Sequence, residues 1–273
     1  MIDSYFFIPG DKPKYLENVD KLKTDFIVID LEDAVSTENK QLANQIALEL
    51  EVKKNMFVRI PFFEKCYTNQ QIKELTQKFA GQIVLPKISS TADINKVISM
   101  CHGLQLNMIV LIENARICIA LEEILAKFSN QIHAIGFGSH DFCSTIGIKH
   151  TLQHLEHYKR QLILYSKAYD VKFIDGVDLD LKNFDQFKKE CVFAFESGAD
   201  GKFIIHPSQL NELNKIDFIS EKELLHLKLV YDRIKDIPDQ QIDVYTIEGK
   251  VYEKPHILRL KYLMKKLGNK IKN

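Results

Sequence analysis

The chain has 273 residues, 45% of them hydrophobic and 27% charged, and its 37 basic and 37 acidic side chains cancel to a formal net charge of zero. That balance argues against a protein whose main work is gripping nucleic acid or an anionic membrane, since both need a positive field. The cysteines Cys66, Cys101, Cys118, Cys143 and Cys191 are scattered and never in a C-x-x-C spacing, so they read as reduced thiols with neither a disulfide frame nor a zinc site. No apolar run comes near the roughly 18 residues of a membrane span, and the opening MIDSYFFIPGDKPK lacks the layout of a secretory signal, which together predict a cytoplasmic protein.

Along the chain, short β-branched or aromatic runs alternate with longer amphipathic stretches, the pattern of βα units around a parallel sheet. In order, the strand signals are SYFFIPG, DFIVIDLED, MFVRIP, QIVLPK, MIVLIEN, AIGFGS, KFIDGVD and KFIIHPS. Most are apolar throughout, as strands covered on both faces should be. Between them, Leu42, Ile46 and Leu50 share a helical face after Ser36, Ile72, Leu75 and Phe79 share one after Asn69, and Ile94, Val97 and Ile98 share one after Thr91. The clearest helix starts at Asn183 as N-cap, presents Phe184, Phe187, Cys191, Ala194 and Phe195 on one face, and stops at Gly198.

Eight such units in about the first 216 residues predict an α/β TIM (β/α)8 barrel, with an open doubly wound sheet as the alternative. From Ile219 the pattern changes to a capped helix, Ser220-x-x-Glu223 leading into Leu224, Leu227 and Val230. A hairpin with Glu248-Gly249 at its turn and a closing basic helix follow. The expected organisation is a catalytic barrel over 1–216 and a helix-hairpin-helix extension over 217–273.

In a barrel the catalytic side chains come from the C-terminal ends of the strands. Here those ends carry Asp30, Glu32, Asp33, Arg59, Lys87, Glu113, Asp141, Asp175, Asp178, Asp180 and His206. Any one of them fits a solvated rim; together they suggest a cation site. Glu113 and Asp141 follow the apolar runs of neighbouring strands, and two carboxylates with the other positions left to water and substrate oxygens is how Mg²⁺ is commonly held. Arg59 would set a permanent planar cation opposite the metal, suited to a substrate carboxylate or a developing enolate. Weaker signals are His150, His154 and His157 at i, i+4, i+7, which read more simply as a solvated helix face, and GFGSHD, which lacks the glycines of a dinucleotide loop. Lys87 as a Schiff-base lysine is a further alternative to Lys87 as the partner of a neighbouring carboxylate.

The ordered set SYFFIPG, DFIVIDLEDAV, FVRIP, IVLPK, LIENA, GSHDF and GKFIIHPSQ resembles the citrate lyase β-subunit family with its citryl-CoA, malyl-CoA and citramalyl-CoA lyases, over nearly the whole chain. The resemblance implies a homotrimeric Mg²⁺ enzyme of the phosphoenolpyruvate/pyruvate barrel type. Glu113 and Asp141 would be the metal ligands and Arg59 the enolate-stabilising cation, and Glu32 and Asp33 would form the acidic pair that orients metal-bound waters. The catalytic set expected is Arg59, Asp33 and Glu253, and the substrate-binding set Arg59, Glu113, Glu32, Lys87 and His206. GKVYEKP resembles the family's lid segment G-K-x-x-D-x-P, which implies that the extension over 217–273 packs on a neighbouring subunit as a lid over its site, with Glu253 standing where the family has an acid/base aspartate. Two further departures are Asp3, in place of an arginine in the usual opening, and His140, where an acidic residue often precedes the metal-binding aspartate.

The implied chemistry is reversible cleavage of a 3-hydroxyacyl-CoA thioester through an enolate, with a CoA thioester or keto acid as the small-molecule partner. A class II pyruvate-type aldolase acting on free keto acids and a catalytically weak metal- and ligand-binding relative are the other readings.

Overall fold

The computed structural model describes residues 2–268. Its first eight strands are β1 Asp3–Pro9, β2 Phe26–Asp30, β3 Met56–Arg59, β4 Gln82–Leu85, β5 Asn107–Ile112, β6 Ile132–Phe137, β7 Lys172–Asp175 and β8 Gly201–Ile204. They close in sequence order into a parallel barrel, β1 pairing with β2 on one side and β8 on the other. The barrel, not the open sheet, is the fold.

The interior is filled from every strand: Tyr5, Val28, Phe57, Val84, Ile109, Leu111, Ala134, Ile174 and Phe203 form one buried cluster. Each Val, Leu, Ile and Phe side chain among them stabilises the fold by about 1.5–3 kcal/mol relative to exposure. Gly136 belongs to this packing, because a Cβ there would lie 2.6 Å from Cζ of Phe203.

The helices of this unit are α1 Pro13–Leu16, α2 Lys40–Glu49, α3 Asn69–Lys78, α4 Thr91–Met100, α5 Ala115–Phe128, α6 Ser139–Ile146, α7 Leu152–Ala168, α8 Phe184–Ser197 and α9 Pro207–Leu213. Asn183 caps α8 through Gln186 N–H, and Gly198 ends it at φ 102°, as the punctuation predicts. The caps of α3 and α4 fall one residue earlier than expected, on Thr68 and Ser90, and Thr68 forms a reciprocal capping box with Gln71.

The face predicted for α2 is corrected. Leu42 is 49% exposed, and the buried residues are Lys40, Ala43, Asn44 and Ala47. Small alanines let the helix approach closely, and the Lys40 ammonium turns inward to donate to the carbonyls of Leu31 (3.0 Å) and Glu32 (2.7 Å).

Contacts divide the chain into two compact units, Ile2–Lys215 and a second from Ile216 onward. The second holds α10 Glu221–Ile234, the hairpin β9 Tyr245–Ile247 with β10 Lys250–Tyr252, and α11 Lys254–Gly268, around Val230, Ile234, Ile242, Ile247, Ile257 and Leu260. Glu248 and Gly249 both take positive φ (51° and 75°), the requirement of a two-residue type I′ turn. Residues 269–273 of the predicted closing helix lie outside the described residues. All five cysteines are free, and among the described residues no helix is long and apolar enough to cross a membrane.

Candidate active site

Strand register builds the site. Asp30 and Arg59 are partners at the ends of β2 and β3, so their side chains meet: Nε donates to Oδ1 at 2.8 Å and Nη2 to Oδ2 at 2.5 Å. This fork-to-carboxylate pairing is the strongest geometry available to arginine. Nη1 faces two more acids, Glu32 at 3.1 Å and Asp33 at 3.3 Å, and the guanidinium carbon lies 5.2 Å from the Phe7 ring centroid. Burial works against the charge of Arg59, but Asp30, Glu32 and Asp33 outweigh it and hold the guanidinium protonated.

Lys87 joins the two sides of this cluster. Its Nζ lies 2.6 Å from Glu32 Oε1, and 3.6 Å from both Asp33 and Glu64. Its own backbone N–H donates to Glu113 Oε2 at 2.7 Å, which is possible because Lys87 adopts φ 57°. Although desolvation disfavours the ammonium, Glu32, Asp33 and Glu64 raise its pKa. Lys87 is therefore a paired cation and not the depressed-pKa nucleophile a Schiff base requires.

Glu113 follows β5 and is 4% exposed. Burial pushes its carboxyl up to about 7; Glu32 and Asp141 push the same way, against the Lys87 N–H and Arg59. Gly138 lies beside it because Gly138 N–H donates to the Ile112 carbonyl, and a Cβ on Gly138 would stand 2.3 Å from Glu113 Cγ. Glu32, wholly buried, is also raised by burial, with Arg59 and Lys87 opposing. Its carboxylate is held by close ion pairs with Arg59 and Lys87.

These residues surround a cavity of about 470 Å³. Asp30, Asp33, Arg59, Glu113, Ser139, His140 and Asp141 supply polar lining, and Phe7, Leu111, Phe137, Val177 and Phe203 supply apolar walls. The sequence-predicted Arg59, Asp33, Glu113 and Asp141 thus share one cavity, with Glu32 and Lys87 tied to it by ion pairs.

The other nominations fall elsewhere. His206 caps α9 by accepting from Ser208 N–H and lines an adjoining pocket with Phe6, Tyr15 and Leu22. Glu253 belongs to the second unit, where its N–H donates to His256 Nδ1. Asp175 turns away from the cavity to pair with Lys159 and Lys202. His150 stacks on His140 with ring centroids 3.7 Å apart, while His154 bonds the Thr151 hydroxyl, so the three histidines do not converge.

Among the described residues, no group of three or more His, Cys, Asp or Glu could hold a metal by itself. A two-carboxylate site completed by water and substrate does not require one. The hard oxygen donors and the surplus of acid over base around Arg59 and Lys87 suit Mg²⁺ and not zinc. Sequence reasoning missed Asp30 as the main partner of Arg59, and Lys40 as the anchor of the loop carrying Glu32. Only register and burial disclose either.

Residues 3–207 match the HpcH/HpaI aldolase/citrate lyase family. The chain belongs to this family. It is similar to a (3S)-malyl-CoA thioesterase of Cereibacter sphaeroides, 26% identical over 270 residues that cover 96% of this chain and 93% of that one. It is equally similar to the citrate lyase subunit beta of Leuconostoc mesenteroides subsp. cremoris, 26% identical over 275 residues covering 95% and 91%. In fold it resembles the CitE protein of Mycobacterium tuberculosis in complex with magnesium, acetoacetate and coenzyme A, with a TM-score of 0.80, 20% identity and 98% of both chains covered. Family membership makes the expected citrate lyase β-subunit likeness a finding. The HpcH/HpaI aldolase/citrate lyase family is one of lyases and aldolases, with thioesterases among the similar proteins.

Proposed function

We propose that the chain is a Mg²⁺-dependent carbon–carbon lyase that cleaves or forms a 3-hydroxyacyl-CoA thioester of the citryl-, malyl- or citramalyl-CoA kind. The observation that carries this reading is the uncompensated acidity at the cavity. Among the described residues, Asp30, Asp33, Glu113 and Asp141 line a cavity whose cations are Arg59 and the adjoining Lys87, both also paired with Glu32, and burial, with Glu32 and Asp141 adding to it, pushes Glu113 up to about 7. A divalent cation held by Glu113 and Asp141 would offset both the burial of the Glu113 charge and the repulsion from its acidic neighbours, with Glu32 close by as a further acceptor.

When bound, Mg²⁺ supplies Lewis-acid polarisation of the substrate's carboxylate and hydroxyl or keto oxygens. Arg59 keeps two of its nitrogens on Asp30 and turns Nη1 from the half-exposed Asp33 to the thioester oxygen, where negative charge develops as the C–C bond breaks. Lys87 fixes Glu113 by its backbone and Glu32 by its ammonium. The apolar walls keep bulk water from the enolate. His206, on the adjoining pocket, contacts the thioester's longer arm. Asp33 and Glu253 are the candidate proton carriers, Glu253 acting from the extension of a neighbouring subunit in a cytoplasmic homotrimer.

The test is a panel of citryl-, malyl- and citramalyl-CoA with Mg²⁺, assayed in parallel for the keto acid released and for free CoA thiol. Cleavage gives acetyl-CoA and a keto acid, is abolished by EDTA, and is lost in Glu113→Ala. A Glu113→Ala variant as active as the parent would refute the reading. Free thiol without keto acid would replace it by thioester hydrolysis, the second reading, which the similarity to malyl-CoA thioesterases favours.

A further inference from the structure

Behind the wall of the cavity lies a second charged cluster that none of the chemistry above uses. Lys159, Asp175, Glu190 and Lys202 are each less than 9% exposed, and none of them lines the cavity. Asp175 and Lys202 are register partners on β7 and β8, with Lys202 Nζ 3.0 Å from Asp175 Oδ2. Lys159 reaches Asp175 Oδ1 at 2.9 Å, and both lysines stand 3.9 Å from Glu190.

Two positive and two negative groups cancel, so the cluster adds no net charge beside the cavity. Buried ion networks are also poor stabilisers, since well-packed apolar residues in their place are often as good or better. What this one does have, among the described residues, is a single bond to the main chain. Lys202 Nζ donates to the Gly176 carbonyl at 2.5 Å, whereas Lys159 bonds only side chains.

Gly176 is where this bond meets the site. A Cβ there would stand 2.5 Å from Ser139 Oγ and 2.8 Å from the Phe137 carbonyl, so the end of β7 lies directly against the turn from β6 into α6. That turn carries Asp141 two residues after Ser139, and Ser139 Oγ is fixed on its other side by His150 Nε2 at 2.8 Å. Val177, next to Gly176, is itself cavity lining.

We propose that Lys202 is a positioning residue for Asp141: by holding the Gly176 carbonyl it fixes the backbone plate on which the Ser139–Asp141 turn rests. This rests on the reading of Asp141 as a Mg²⁺ ligand.

The test measures the Mg²⁺ dissociation constant by calorimetry, and the melting temperature, for the full-length parent, Lys202→Met, Lys159→Met and Gly176→Ala. Lys202→Met and Gly176→Ala weaken Mg²⁺ about 10–100-fold, the usual cost of losing a residue that orients a metal ligand. Lys159→Met also strips a cation from Asp175 and lowers the melting temperature, yet leaves Mg²⁺ affinity within about twofold because the Gly176 bond survives. If Lys159→Met loses as much affinity as Lys202→Met, or if Lys202→Met binds as the parent does, the proposal falls. Should Lys202→Met fail to fold, Gly176→Ala still exposes the proposal to refutation: it leaves every charge in place, and Mg²⁺ binding like the parent's would show that Asp141 does not depend on this backbone plate. A parent that binds no Mg²⁺ overturns the functional reading and this inference together; a parent that binds, with indifferent variants, overturns this inference alone.

Discussion

Glu113→Gln separates the cost of the site from its use. The Glu113 carboxyl titrates near 7 in the fold against 4.5 in its ordinary state. At about 1.4 kcal/mol per pH unit, its ionised form costs the folded protein on the order of 3 kcal/mol. With the residue 4% exposed, solvent screening takes little from that figure. The sign follows from linkage: between those two values the folded state holds a proton that the unfolded state has released, so stability falls as pH rises through the window. Glutamine keeps an oxygen for the Lys87 N–H and has no proton to lose.

In EDTA, urea unfolding of the parent should therefore lose roughly 2–3 kcal/mol relative to Glu113→Gln between about pH 5 and about pH 8. Saturating Mg²⁺ at the higher pH should return stability to the parent, about 2.7 kcal/mol at a hundred times the dissociation constant, and none to the variant. A stability difference between the two proteins that is the same at both pH values refutes the assignment of Glu113 as a carboxyl destabilised by its surroundings.

Two other substitutions probe the scaffold around it. Gly138→Ala drives a methyl to 2.3 Å from Glu113 Cγ, which should cost about 1–3 kcal/mol in thermal unfolding and weaken Mg²⁺ as the carboxylate is displaced; an unchanged melting temperature would contradict the close approach of the β5 and β6 ends. Lys40→Met removes the donor from the Leu31 and Glu32 carbonyls, and at about 1–3 kcal/mol for each buried acceptor left unpaired the urea midpoint should fall clearly, whereas parent-like stability would mean the ammonium anchors nothing.

The barrel is legible because its strands are apolar on both faces and their ends abruptly polar, so one reading of the chain yields both the fold and the candidate mouth residues. Helix faces are harder. Leu42 invites a place in the core, yet the helix buries Lys40 instead, because the ammonium satisfies two loop carbonyls that no hydrophobic side chain could. Lys202 is hidden in the same way: nothing in KFIIHPS says that its lysine is wholly buried or that its partner stands opposite on β7. Asp30 and Glu32 look alike as strand-end acids, and only the register of β2 against β3 gives Asp30 the fork of Arg59. His206, equally polar and also near a strand end, is directed outward because it caps the helix that follows.

Lys87 has a consequence for the variation this chain can tolerate. A residue with a Cβ held at φ 57° carries a standing penalty of about 1–2 kcal/mol. Glycine would remove that penalty in one step while leaving Glu32 without its ammonium. Any other side chain keeps the penalty and changes the reach or the charge. No single replacement improves the position without surrendering one of the two carboxylates that lysine serves at once. Drift driven by thermal stability alone would run towards glycine, so a lineage that keeps lysine here has put its pocket ahead of its own folding.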